Sequence, residues 1–180
     1  MITATLAARR LRYRWLLAVV GLWAVSAFST VAGSRLWVIV YLLFVPLLVA
    51  PSIVSRLHWR APWGEMMVAL AMLAALLFWQ PGLTGYALLT LLLAALPEEW
   101  FFRAGMQDQL GNDWLAVVLS SAAFAISHGI LVSWLHGGLV FLPSLCFGAL
   151  YRWHRSLPLV VLIHALSNVI LRAVAPAGWI

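Results

Sequence analysis

The chain has 180 residues, of which 65% are hydrophobic and 9% charged, and its mean hydropathy of +1.02 lies far outside the range of soluble domains. Its basic residues are 11 arginines with no lysine, for a net charge of +6. Most fall in short connections between apolar runs and they form no basic face interleaved with aromatics, which argues against nucleic-acid binding and assigns these to topology and lipid headgroups.

Arg9, Arg10, Arg12 and Arg14 precede the first apolar run, residues 15–33. This run is too long for a signal-peptide core and a second follows at once, so it reads as a span. Further runs cover about 36–54, 64–79, 83–102, 114–132, 135–151 and 157–174. At about 20 residues per crossing, the expectation is an all-α, polytopic transmembrane helix bundle of about seven spans. Little remains for any soluble domain. Trp15, Trp37, Trp63, Trp79, Trp100, Trp114, Trp134, Trp153 and Trp179 stand near the borders, where indoles sit at the headgroup level.

Placing the N-terminus in the cytoplasm puts Arg9, Arg10, Arg12, Arg14, Arg56, Arg60, Arg152 and Arg155 inside, with Arg35 as the clear loop arginine outside. The location expected is the cell membrane. Pro46 and Pro51 in the second span and Pro143 in the sixth read as kinks. Ser120, Ser121, Ala122, Ala123, Ala125 and Ser127 read as a small-residue packing face. Cys146, the one cysteine, lies in an apolar run and reads as buried packing; with no second cysteine there is no disulfide framework. Residues 1–80 form a three-span segment without a chemical signature. Residues 81–180 form a four-span core that carries the ionisable groups, within one compact membrane domain.

That core opens with Leu96-Pro97-Glu98-Glu99-Trp100-Phe101-Phe102-Arg103. Ionisable groups in a span cost about 2.5–3.5 kcal/mol each on insertion scales, so they are paired, turned inward and functional as a rule. Glu99 and Arg103 are four apart and share a helix face with the acid N-terminal, the better order for an ion pair. Glu98 is rotated about 100° away and is left for other work. Later spans contribute Phe124 and His128, then His164 and Asn168, each pair again four apart. A buried carboxylate is a stronger base towards water, and imidazoles and an amide can hold the oxyanion that follows. Neither a Gly-x-Ser-x-Gly nor a His-Glu-x-x-His motif competes.

Glu98-Glu99-x-x-x-Arg103, Phe124-x-x-x-His128 and His164-x-x-x-Asn168, in that order on successive spans, resemble the CPBP (CAAX protease and bacteriocin-processing, or Abi) family of intramembrane proteases, which includes the Rce-type CAAX endopeptidases. The match runs over about 83–172. The resemblance implies that Glu98 activates water with help from His128, that His164 and Asn168 form the oxyanion site, and that Glu99, Arg103 and Phe124 are supporting. It implies an endopeptidase acting on a membrane-anchored protein or peptide near one of its ends, in a sorting tag, a prenylated tail or a leader.

Such proteins are described both as metal-dependent and as glutamate-type. The metal-free version is preferred, with zinc the alternative: with Glu99 committed to Arg103, zinc would take Glu98, His128 and His164 and leave no base. The rival functions are a non-catalytic scaffold or immunity protein of the same fold, and a proton-coupled transporter, for which matched half-repeats are lacking. His58, His136 and His154 are given no site role, and Glu65 reads as a local charge partner. One conflict remains in the depths: Glu98 and His164 lie about 8 and 10 Å from their cytoplasmic borders and His128 about 20 Å.

Overall fold

The computed structural model describes residues 2–50, 53 and 62–175, with side chains from Tyr13 onward. Among these residues all regular structure is helical: α1 (Ile2–Ala32), α2 (Leu36–Val49), α3 (Trp63–Trp79), α4 (Pro81–Leu110), α5 (Trp114–Leu131), α6 (Trp134–His154) and α7 (Leu157–Val174). The chain is thus an all-α bundle of about seven spans. Five segments, Tyr13–Ala32 of α1 and all of α4 to α7, are long and apolar enough to cross a bilayer, and α2 and α3 are shorter apolar helices. Arg56, His58, Arg60, Pro51 and Trp179 lie outside the described residues.

Helix ends follow from local chemistry. Asp113, Ser133 and Ser156 accept from the backbone N–H groups of Ala116, His136 and Leu159 and so cap α5, α6 and α7. α4 stops because Gly111 (φ 120°) and Asn112 (φ 52°) turn left-handed, a conformation that glycine adopts without penalty. α4 itself opens in a 3₁₀ turn and contains two wider π segments, Leu91–Ala95 and Trp100–Gln107, on either side of Leu96–Glu99. Pro97 has no N–H and its ring crowds the carbonyl one turn back, and a widened turn before it relieves that clash.

The fourth apolar run therefore does not end at Phe102. The helix continues for two more turns, and Ala104, Gly105, Met106 and Gln107, expected in a connection, are buried inside the bundle. This removes the conflict in depth. Counted along their helices, Glu98 is about 18 Å from the Leu110 end of α4 and His128 about 21 Å from the Trp114 end of α5. His164, about 10 Å from the start of α7, reaches the same cluster through its contact with Glu99.

α5 and α6 form the most extensive helix pair, α1 packs on α2 and α5, α2 on α4, α3 on α7, and α7 on α4 and α6. Three expectations are corrected by this packing. Trp15 is in the core, edge-on to Phe101 at 5.4 Å and seated over Gly105, which has no side chain to oppose it. Trp100 also points inward and donates to the Leu43 carbonyl at 3.1 Å. Cys146 is exposed, because Ser144, Phe147, Gly148 and Tyr151 take the inward face of α6. The other described border tryptophans, Trp37, Trp63, Trp79, Trp114, Trp134 and Trp153, are exposed as headgroup anchors.

The α5–α6 hairpin is close because Gly137 meets backbone: a Cβ there would lie 2.6 Å from the Ala125 carbonyl oxygen and 2.9 Å from Gly129. Gly138, one residue on, faces open space. Alanine gains about 0.5–1 kcal/mol over glycine in a helix, whereas overpacking against backbone costs about 1–3 kcal/mol. Gly137→Ala is expected to lower the melting temperature in detergent and Gly138→Ala to leave it unchanged or raise it; equal melting temperatures for the two would contradict this packing.

Candidate functional site

The site is built around two adjacent carboxylates that α4 turns to different neighbours. Glu99 is fully buried and uses both oxygens: Oε2 accepts from Arg103 Nε at 2.9 Å and Oε1 accepts from His164 Nδ1 at 2.8 Å. Arg103, also fully buried, places its remaining donors with equal economy. Nη1 reaches Ser120 Oγ at 3.0 Å and Ser121 Oγ at 3.5 Å, and Nη2 reaches Ser144 Oγ at 2.7 Å and the Ser144 carbonyl at 3.0 Å. All donors of the guanidinium fork are thereby used, on α4, α5 and α6. One layer below, Gln107 donates to Asn112 Oδ1 at 2.7 Å and to the Gly148 carbonyl at 2.9 Å.

Glu98 faces two imidazoles. Its Oε1 is 3.8 Å from His128 Nε2 and its Oε2 is 3.6 Å from His164 Nε2. These separations exceed hydrogen-bond range, so the carboxylate touches both rings without being committed to either. The Nδ1 partners fix which ring nitrogen faces it. His128 Nδ1 is 3.0 Å from the Phe124 carbonyl and His164 Nδ1 is bound to the Glu99 carboxylate; both partners only accept, so Nδ1 carries hydrogen in each ring and Nε2 is the nitrogen turned to Glu98.

Aromatic rings hold the imidazoles flat. Phe124 stacks on His128 at 4.2 Å and 29°, Phe147 stacks on His164 at 4.8 Å and 21°, and Phe102 buttresses Phe124 edge-on at 5.2 Å. The side chains of Glu98 and His128 keep 17% and 18% exposure, against 6% for His164 and none for Glu99.

The structure thus brings Glu98, His128, His164, Glu99, Arg103 and Phe124 into one cluster. Asn168 lies one turn beyond His164 on α7, where its Nδ2 donates to Thr90 Oγ1 at 3.0 Å. Four further residues belong to the site. Ser120 and Ser121, read from the sequence as packing, and Ser144 are acceptors for Arg103, and His136 has its ring 5.7 Å from that of His128. A buried arginine always needs several acceptors, so the serines of the neighbouring spans were the available signal. Among the described residues no group of three or more His, Cys, Asp or Glu is set as a metal-binding cluster, although Glu98, His128 and His164, with Glu98 3.8 and 3.6 Å from the two Nε2 atoms, are the residues that would hold a zinc ion.

The comparison with known families bears on this same stretch. The family model for type II CAAX prenyl endopeptidases, Rce1-like, matches residues 80–170, which run from α4 into α7 and cover about half of the chain. The chain belongs to the Rce1-like family. No curated protein and no solved structure matches it. At the family level an Rce1-like chain is a CAAX-type intramembrane endopeptidase, and the several apolar helices make this one a multi-pass membrane protein. α1 to α3 lie outside the match.

Removing one member of a buried ion pair costs about 3–5 kcal/mol because its partner is left uncompensated. Glu99→Gln and Arg103→Met are each expected to lower the melting temperature of the detergent-solubilised protein sharply. The double variant should lose less than the sum of the two. A strictly additive cycle would argue against the coupling described here.

Proposed function

We propose that this Rce1-like protein hydrolyses a peptide bond in a membrane-anchored protein near one of its ends, with Glu98 as the general base. The observation that carries the reading is the contrast between the neighbours: Glu99 is saturated by Arg103 and His164, whereas Glu98 lies between two Nε2 atoms at 3.6 and 3.8 Å and is free to take a proton.

In this reading a water held between Glu98 and His128 Nε2 gives its proton to the Glu98 carboxylate as its oxygen attacks the scissile carbonyl carbon. The carbonyl oxygen becomes an oxyanion, held by His164 with Nε2 protonated and by the second amide hydrogen of Asn168. Glu99 holds the His164 ring in place by accepting from its Nδ1, the part that a buried carboxylate plays beside a catalytic imidazole. The C–N bond then breaks, and protonated Glu98 returns its proton to the departing amine. Atoms balance with one water consumed and two peptide ends released. Stacked phenylalanines keep bulk water from competing at the rings.

We place the protein in the cell membrane, with its N-terminus on the cytoplasmic side as the arginine distribution predicts. Its partners are the bilayer and the anchored substrate.

The test compares membrane-protein termini by mass spectrometry in cells carrying the wild type or Glu98→Gln at equal abundance. Loss of a general base costs about 10²–10⁴-fold, so a set of termini should appear with the wild type and vanish with Glu98→Gln. Glu98 makes no direct hydrogen bond within 3.5 Å among the described residues, so the same variant should melt like the wild type, unlike Glu99→Gln. Identical termini together with a retained cellular phenotype would sink the catalytic reading and favour a scaffold.

A further inference from the structure

α7 carries two polar side chains one turn apart, and α4 holds both of them. His164 gives Nδ1 to Glu99 at 2.8 Å and keeps Nε2 turned to Glu98. Asn168 gives one Nδ2 hydrogen to Thr90 Oγ1 at 3.0 Å, and among the described residues its second amide hydrogen and its Oδ1 take no hydrogen bond. Each contact therefore fixes a group through one atom and leaves another unspent.

Thr90 is the one polar side chain between Ala87 and Pro97, in a run otherwise made of leucine and alanine. Leu88, Leu89, Leu92 and Leu93 around it are exposed on the outside of the bundle, whereas Thr90 is turned inward and only 6% exposed. A hydroxyl in such surroundings costs free energy unless it is bonded. The partner that it meets is the Asn168 amide.

The shape of α4 makes this meeting possible. In a regular α-helix Thr90 would stand about 80° from Glu98 and about 180° from Glu99, on the opposite face. The π segment Leu91–Ala95, in which the Leu96 N–H bonds back to the Leu91 carbonyl, lies between them. One such turn takes up an extra residue, which brings Thr90 to within about 20° of Glu98 and about 80° of Glu99. Thr90 and both glutamates can thereby address the same stretch of α7, where Glu99 meets His164 and Thr90 meets Asn168.

We infer that Thr90 is a positioning residue for peptide hydrolysis: it fixes the plane of the Asn168 carboxamide so that the remaining amide hydrogen is presented to the oxyanion. The inference rests on the proteolytic reading above, in which Asn168 shares the oxyanion with His164. Thr90 itself touches neither the substrate nor the attacking water. Donors held in place before the reaction need no reorganisation when charge develops, and that is what an anchored amide has over a freely rotating one. A bond that served helix packing alone would alter stability without altering the rate through Asn168.

The test uses the purified full chain in detergent. Its substrate is a synthetic anchored peptide spanning a cut site that appears with the wild type and vanishes with Glu98→Gln. Asn168→Ala is expected to lower kcat about 10²–10³-fold, the size of one lost oxyanion donor. Thr90→Val keeps the shape and removes the acceptor, and should lower kcat about tenfold, as a small misplacement of a catalytic group does, with KM unchanged. Thr90→Ser should restore the rate. In an Asn168→Ala background Thr90→Val should cost nothing further, because the group that it positions is gone.

A wild-type or raised kcat in Thr90→Val overturns the inference, as does a loss confined to KM or one that persists undiminished beside Asn168→Ala. If Thr90→Val does not accumulate, Thr90→Ala decides on the same criteria. Absence of any Glu98-dependent cut site removes the proteolytic reading and the oxyanion role with it. Melting temperatures of Thr90→Val, Asn168→Ala and the double variant then still report the contact: a double variant no worse than the poorer single one supports it, and strict additivity refutes it.

Discussion

A guanidinium buried in the middle of a membrane bundle is the constraint from which the rest of this structure follows. Taking one ion of a pair out of water costs several kcal/mol even after relaxation, and the mutual attraction repays it only when the remaining hydrogen-bonding positions are filled. Arg103 meets that condition with Glu99 on its own helix, Ser120 and Ser121 on α5, and Ser144 on α6. Glu99 extends the chain of contacts to His164 on α7. Four helices are thereby held in a single rotational setting. In a bilayer, where lipid is as apolar as leucine, such polar contacts and close packing do what burial of apolar surface does in water.

Given that setting, two chemically identical neighbours acquire opposite roles. Glu99 is an acceptor with no oxygen to spare, and Glu98, one residue earlier, points at the Nε2 atoms of both imidazoles. The difference comes from the turn of the helix, sharpened by Pro97 and the widened segments on either side of it. The saturated carboxylate holds a ring, and in the proposed reaction the uncommitted one is the base.

The close α5–α6 hairpin completes the picture. Gly137 against the backbone of Ala125 and Gly129 lets the two helices approach, and this brings His136 beside His128 at the tip. The tightly filled layer around Arg103 and the close hairpin belong to one packing arrangement.

How much of this was legible beforehand follows from the range of each force. The spans, most of their tryptophan borders and the pairing of Glu99 with Arg103 depend on local partition energies and on spacing along one helix, so the sequence by itself determined them. It also determined the family, through three motifs in order. The continuation of α4 to Leu110 was hidden because Gln107 and Asp108 look like loop residues until their partners across the bundle are known. Trp15 read as a headgroup anchor because nothing local indicates that Gly105 leaves room for its ring. The acceptors of Arg103, the nearness of His136 and the outward face of Cys146 were decided only by tertiary structure, because each depends on how one helix is rotated against another.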